Sequence, residues 1–553
     1  MLTVKNGWLI STGSLKLLRS PKLLWVIPFV FMGLAFYIPL LSVLQLGFGE
    51  HLGKGDPTEI SVWPVLWFTF WQAAVSTIIC LLVGIPAAYI FYRRSFIGSN
   101  LLRSIITVPF MLPSLVVAMA VIEFARPFGG FSPVVAIIFA NVFANFAVVV
   151  RTVGSQWQHF ADETEEEAEL SGAGRIRTTF KVILPQLATS IRSSSAIIML
   201  YCASSYGIVL SLGGGQINTL ETALSITVLQ RLDFQHGAAL ALLQVAFSLV
   251  AFTASRWGGA NPLSFEPKSA KSKKLDKRDW PAFLFTVLLT FGIVVIPICL
   301  VLVNAFRTKA GSFGFENFFL LDTRGYRDLL NISFAEASIN SLRNLVVATI
   351  LSMLIGGIVS YLLAERARRR KSKQTDFIGI TLDAAFLLPI GVSAVVLGLG
   401  YLVSLSGNLA DIRSQWFIVP LVQSVFAIPM VIRVLFPALI AIDDGPREQA
   451  MTDGASKLEI FFAIDLRLIR ASVKTAIAFS ALVSVGEFGV ASLLAYADQA
   501  TIPVLLYQLI ARPGNQNYEM ALAVAAILTA LTTVLVLLVS RESETIRKRH
   551  LVS

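Results

Sequence analysis

The strongest constraint on this chain is a series of long apolar runs that carry almost no charge. Residues 23–47 contain no Asp, Glu, Lys or Arg, and about 20 apolar residues in a helix suffice to cross a hydrocarbon core. Comparable runs lie at 65–92, 104–125, 133–150, 189–212, 236–255, 281–304, 342–363, 377–404, 415–439, 472–495 and 519–540. They are too long and too uniformly apolar for the alternating strands of a barrel, and backbone groups in lipid must be satisfied within the segment. The reading is an all-α membrane protein with about 12 transmembrane helices. The first run is too long for a signal-peptide core and lacks a small-residue cleavage site, so it is expected to be retained.

Charge then orients the helices. Of the 553 residues 55% are hydrophobic and 14% charged, with 45 Lys+Arg against 34 Asp+Glu. A basic excess can signal nucleic acid, but here it sits in loops that fall on one side if the helices alternate. Lys5, Lys16, Arg19 and Lys22 precede the first run; Arg93, Arg94 and Arg103 follow the second; Lys268 to Arg278 follow the sixth; Arg366 to Lys373 follow the eighth. Arg541, Arg547, Lys548 and Arg549 end the chain. Such loops stay cytoplasmic, so both termini are expected there, in a bacterial cytoplasmic membrane, with lipid and not nucleic acid as the surrounding partner. Cys80, Cys202 and Cys299 each fall in an apolar run and the four histidines are scattered, so neither a disulfide framework nor a metal site is expected.

The chain repeats itself. Ala73–Ile79 is similar to Leu345–Leu351, and Gly84 and Tyr89 align with Gly356 and Tyr361, 272 positions on. Farther along, the segment from Glu166 to Ala173 matches that from Glu448 to Ala455 at an offset of 282, which also pairs Gly207 with Gly489. Two six-helix halves in parallel orientation are therefore expected: 1–255, a basic linker at 256–280, and 281–553. Six-plus-six parallel repeats also occur in ion-driven secondary transporters. Those require buried ionisable relays, which are sparse here.

Between the fourth and fifth runs, 151–188 is a long polar insertion where short turns are usual. Asp162 or Thr164 can cap a helix whose first turn holds Glu165, Glu166 and Glu167. Gly172 permits a bend, and a second short helix over Ile176–Ile183 is expected to stop at Pro185. In the other half Asp443, Asp444, Gly445 and Pro446 start a matching element that bends at Gly454. Small residues at Ala168, Gly172, Ala173, Ala450, Gly454 and Ala455 leave room for another protein to pack closely, so the two loops read as docking knobs.

These loops resemble the diagnostic segment of the permeases of type I ATP-binding-cassette importers: E-A-A, three residues, G, nine residues, I, one residue, L-P. The first copy supplies Glu166, Ala168, Gly172, Val182, Leu184 and Pro185; the second supplies Glu448, Ala450, Gly454, Ile464 and Leu466, with Arg467 in place of the proline. The resemblance covers nearly the whole chain. It implies two coupling helices seated on two cytoplasmic ATPase subunits, a binding protein outside the membrane that delivers cargo, and alternating access. No G-x-x-x-x-G-K-[ST] motif occurs, so this chain is expected to be a transport subunit and not an enzyme. It would hold no cofactor of its own, ATP and magnesium belonging to the partner. The Leu210–Gln216 segment superficially resembles an ATPase signature, yet at the outer end of a run its glycines read as a flexible helix terminus.

A carboxylate within a span is costly and counts as functional by default. Glu487 is either a contact for the transported solute or a buried hydrogen-bonding group, and its counterpart is Ser205, followed by Tyr206. For Glu123 and Asp383 the structural reading leads, and Asn141 and Asn145 read as helix glue. Fused two-copy permeases of this length resemble those for thiamine and those for iron(III). Leu212 to Gly215, Thr219-Leu220-Glu221 and Ala238 to Gln244 are similar to thiamine permeases. A thiazolium cation suits aromatic faces with a carboxylate, such as Tyr201, Tyr206 and Glu487, whereas iron(III) wants several oxygen ligands. Thiamine is the favoured cargo and iron(III) the alternative.

Overall fold

The computed structural model describes residues 24–48, 61–158, 170, 174–256, 273–308, 311–328, 330–369 and 377–550. Among them nine helices are long and apolar enough to cross a membrane, and three bent helix pairs bring the total to twelve. The first six spans are Val26–Gly47, Val62–Arg93, the pair Leu101–Met111 and Ser114–Phe128, Pro133–Trp157, Thr179–Ala203 and Phe234–Ser255. The second six are Trp280–Ala305, Phe334–Arg368, the pair Thr381–Gly391 and Ala394–Ser404, Ile418–Ile440, the pair Phe461–Leu468 and Arg470–Gly486, and Asn515–Leu537. The all-α expectation holds, with one small addition: Arg94–Ser95 pairs in parallel with Lys273–Lys274.

The third span of each half is sharply bent, by 109° in the first and 95° in the second. In the first half Leu112 is extended (φ −68°, ψ 143°) ahead of Pro113, as the clash with a following proline ring dictates. In the second half Val392 is extended and the Ser393 hydroxyl accepts from the Val395 N–H, starting the next helix.

Two expectations need correction. The runs at 189–212 and 472–495 are not continuous helices. Thr179–Ala203 breaks at Ser204 and Ser205 before resuming as Tyr206–Leu212, and Arg470–Gly486 breaks at Glu487 and Phe488 before Gly489–Leu494. Each is followed by a ten-residue helix, Leu220–Leu229 or Ile502–Ala511, too short at about 1.5 Å per residue to span a bilayer. Nor does Pro185 end a helix. A π turn at Thr179–Ile183 widens the helix just before it, and the helix runs on through Pro185 as Leu184–Ala203.

Each half lends its first span to the other. The Tyr37 hydroxyl donates to the Ala385 carbonyl at 3.0 Å, and the Tyr401 hydroxyl donates to the Ala35 carbonyl at 2.9 Å. Gly400 lies so close that a Cβ there would sit 2.4 Å from the Pro39 carbonyl oxygen. Reciprocally, the seventh span packs on Ser114–Ala125, where Glu123 is 1% exposed. Its carboxylate accepts from Asn304 and from the Tyr518 hydroxyl, and Arg126 stands 3.2 Å away with its guanidinium over the Tyr518 ring. The structural reading of Glu123 is the one displayed.

The linker is pinned where it enters the seventh span. Asp279 is buried, 2.7 Å from Arg94, and accepts from the Tyr89 hydroxyl at 2.9 Å and the Asp276 N–H at 3.2 Å. Burial pushes its carboxyl up, but the Asp276 N–H, Tyr89 and Arg94 outweigh this and hold it below the ordinary aspartate value of 3.8. A depressed carboxylate contributes fully above its unfolded value and loses the contribution as pH falls through the folded one. Hydrogen exchange of the 274–280 amides, corrected for intrinsic rates, should therefore be slow at neutral pH and faster below about pH 4. Asp279→Asn should show the faster exchange already at pH 7.

Candidate functional site

The two helix breaks after the fifth and eleventh spans meet between the halves. Tyr206, the first residue after one break, stacks on Phe488 from the other, with centroids 5.4 Å apart and planes 18° from parallel. Phe488 in turn lies 5.5 Å from Tyr507. The Tyr206 hydroxyl shares a 2.8 Å hydrogen bond with Ser225 Oγ and accepts from Ser492 Oγ at 3.4 Å. The Tyr206–Phe488 stack joins the two halves at this level of the molecule.

Small residues let the breaks approach so closely. A Cβ on Gly207 would meet Ser114 Oγ at 2.2 Å and Phe488 Cδ1 at 3.2 Å, and one on Gly489 would meet the Ala394 Cβ at 3.0 Å. Each glycine thus faces the start of the helix that follows the bend in its own half's third span. The pairing of Gly207 with Gly489 has this steric cause.

Glu487 is placed by the break itself. Its carboxylate accepts from the N–H groups of Val490 at 2.7 Å and Ala491 at 3.3 Å, satisfying amides that a new helix start leaves open. Of its two readings, the hydrogen-bonding role is the one this geometry displays. Ser205, its counterpart, donates to the Cys202 carbonyl at 2.8 Å. Tyr201 is not part of the stack: it packs against Phe110 at 5.6 Å, among the residues of spans two, four and five. A residue that sequence reasoning did not assign to the site is Glu221, 1% exposed in the helix after the first break. The lone acid in the apolar stretch Thr219–Leu229 was its signal.

At the end of the molecule that carries Arg94 and Asp279, the second-half loop forms the expected helix, Gly445–Thr452. Gly454 takes φ +87°, its N–H bonds to the Met451 carbonyl, and the Ala455 N–H bonds to the Ala450 carbonyl. This pair of bonds is the Schellman closure, which favours glycine at the left-handed position. The loop is fixed from beneath by Arg447, whose Nε donates to Asp465 Oδ1 at 2.7 Å in a pair with side chains 8% and 0% exposed. Lys457 reaches Glu365 at 3.2 Å and Arg368 reaches Asp444 at 3.5 Å. Glu448 and Met451 face outward, and Ala450 and Ala455 are half-buried. The first-half counterparts Glu166, Ala168, Gly172 and Ala173 lie outside the described residues.

Twin helical halves with paired helix breaks meeting between them define a membrane permease component. The chain belongs to the family of binding-protein-dependent transport system inner membrane components, which it matches twice, over residues 80–309 and 356–544. It is therefore a fused two-copy form. It is similar to the thiamine transport system permease proteins of Salmonella typhimurium (25% identical, covering 89% of this chain and 92% of the relative) and Escherichia coli (25%, covering 82% and 85%). That of Haemophilus influenzae is 24% identical, covering 90% of this chain and 91% of the relative.

Removing one partner of a buried ion pair costs about 3–5 kcal/mol, whereas replacing both by apolar groups costs far less. Arg447→Ala should accordingly make the 445–468 segment protease-sensitive in detergent, and the double variant Arg447→Met with Asp465→Leu should recover most of the protection.

Proposed function

We propose that this chain is the permease of an ATP-driven importer and that its cargo is thiamine, handed over by a binding protein on the outer side of the membrane. What carries the reading is that relatives named for thiamine transport align across both halves and the linker, and not with one half alone. The gate fits such a cargo in kind. Tyr206, Phe488 and Tyr507 offer aromatic faces and Glu487 lies beside them, which suits a flat cation better than a neutral solute.

The end with the coupling loops carries the basic segments around Arg93, Lys273 and Arg368, so it faces the cytoplasm, with both termini on that side of a bacterial inner membrane. There the Gly445–Thr452 helix, presenting Glu448, Ala450, Gly454 and Ala455, docks on one ATPase subunit. The segment with Glu166, Ala168, Gly172 and Ala173 docks on a second. Closure of the ATPase pair pushes the rigidly braced loop against the eighth and eleventh spans, to which Lys457, Arg368 and Arg447 tie it. The breaks at Ser205 and Glu487 then separate, and Tyr206 parts from Phe488. ATP and magnesium are held by the partner subunits. The halves 1–255 and 281–553 act as two permease units joined by 256–280.

The test is reconstitution in liposomes with the co-expressed ATPase and binding protein, reading ATP hydrolysis with thiamine or iron(III). Stimulation by thiamine is expected. Stimulation by iron(III) alone would replace the cargo, and no stimulation by either would overturn the assignment. Gly454→Val, which forces a branched side chain into the left-handed region, should cut stimulated hydrolysis at least about tenfold, equivalent to roughly 1.4 kcal/mol of coupling, while membrane insertion is unchanged.

A further inference from the structure

We infer that the corner where the linker enters the seventh span is a binding site for an anionic phospholipid, with Lys274 and Lys277 holding its phosphate and Ile97, Leu101 and Trp280 seated among its acyl chains. The backbone gathers these residues. Ser95 is paired with Lys274 in the short parallel bridge, and Ile97 follows two positions on. Lys277 opens the turn Lys277–Asp279, which leads straight into Trp280. The Phe96 ring meets Phe283 edge-on at 5.1 Å, and Phe283 meets Trp280 at 5.6 Å. Asp279, bonded to both Arg94 and Tyr89, keeps the corner in this form.

Two observations name the ligand. The first is depth. Trp280, Leu284, Leu288 and Phe291 are all exposed at helical intervals of four, four and three, forming one stripe on the least buried of the nine long spans. That stripe faces lipid, and Trp280, its first residue, stands at the headgroup level where tryptophan collects. Ile97 and Leu101 are exposed as well, and they extend the apolar surface at this corner. The second is charge. Lys274 and Lys277 are exposed, and their side chains have no partner among the described residues. The acids close by are committed elsewhere: Asp276 caps the turn by accepting from the Lys277 N–H at 2.7 Å, and Asp279 is matched by Arg94. The whole linker 256–280 carries seven Lys+Arg against three Asp+Glu. Unmatched cations at headgroup depth, with uncovered apolar groups beside them, select a negative lipid over a zwitterionic one. A soluble partner would cover the lysines but not a stripe that runs on down the span. The lipid fastens the strap between the halves to the bilayer, an inference that rests on the chain's crossing a membrane and not on its cargo.

The experiment uses the purified full chain with no ATPase or cargo present. Native mass spectrometry measures the retention of dioleoyl phosphatidylglycerol and of dioleoyl phosphatidylcholine. Wild type should hold phosphatidylglycerol the more tightly, and the double variant Lys274→Ala with Lys277→Ala should lose one such lipid, its affinity falling at least about tenfold. Lys274→Arg with Lys277→Arg should keep it. In liposomes containing phosphatidylglycerol, a nitroxide on Ile97→Cys in a Cys299→Ser background should collide more with oxygen than with a water-soluble nickel chelate present on both sides. Cys80 and Cys202 are buried and stay unlabelled. A monodisperse alanine double variant that retains phosphatidylglycerol as wild type does would overturn the site, as would a nitroxide more accessible to the chelate. Equal affinity of wild type for the two lipids would do the same.

Discussion

Everything distinctive in this molecule stems from one constraint: a backbone that leaves the helix inside a bilayer must find its hydrogen-bond partners in protein. The chain leaves the helix repeatedly at membrane depth, at Leu112, Ser204, Val392 and Glu487. At the first central break the Ser205 hydroxyl donates to the Cys202 carbonyl, and at the second a carboxylate supplies the missing acceptor, Glu487 for Val490 and Ala491. At Ser393 a hydroxyl does so. The interruptions gather between the halves, where side chains from both sides can serve them, and the same requirement draws the aromatic rings of Tyr206 and Phe488 into contact.

The halves are alike in plan and unlike in chemistry. Both have a bent third span, a broken fifth and a ten-residue helix after it, and both pack a glycine at 207 or 489 against the start of a neighbouring helix. Yet Ser205 stands where the second half has Glu487, and Glu221 where it has Pro503. Fusion permits this: two copies in one chain can divide a task that identical subunits would have to duplicate.

The number of spans, the duplication and the fold of the 445–455 loop were legible in the sequence because each rests on local pattern. Gly454 announced its bend because left-handed backbone favours glycine, and the small residues around it proved to be the ends of the Schellman bonds. The breaks were not legible. The 189–212 run reads as apolar throughout its end, and only the partner side chains of other spans make interruption affordable there. Tyr201 and Tyr206 lie five positions apart and looked alike, but one packs on Phe110 and the other stacks on Phe488 across the junction. Glu221 was visible as an acid in an apolar stretch, but its partner Gln244 stands 23 positions away on the sixth span, which no local pattern reports.

The exchange of first spans also bears on how the molecule is made. Tyr37 donates to a carbonyl 348 residues farther along, and Ala35 accepts from a tyrosine 366 residues away. A ribosome inserts the first span long before its neighbours exist, so that helix waits in the lipid with its docking face uncovered while most of the chain is synthesised. Because both copies share one polypeptide, the wait ends in an intramolecular encounter whose rate does not depend on how many copies the cell is producing.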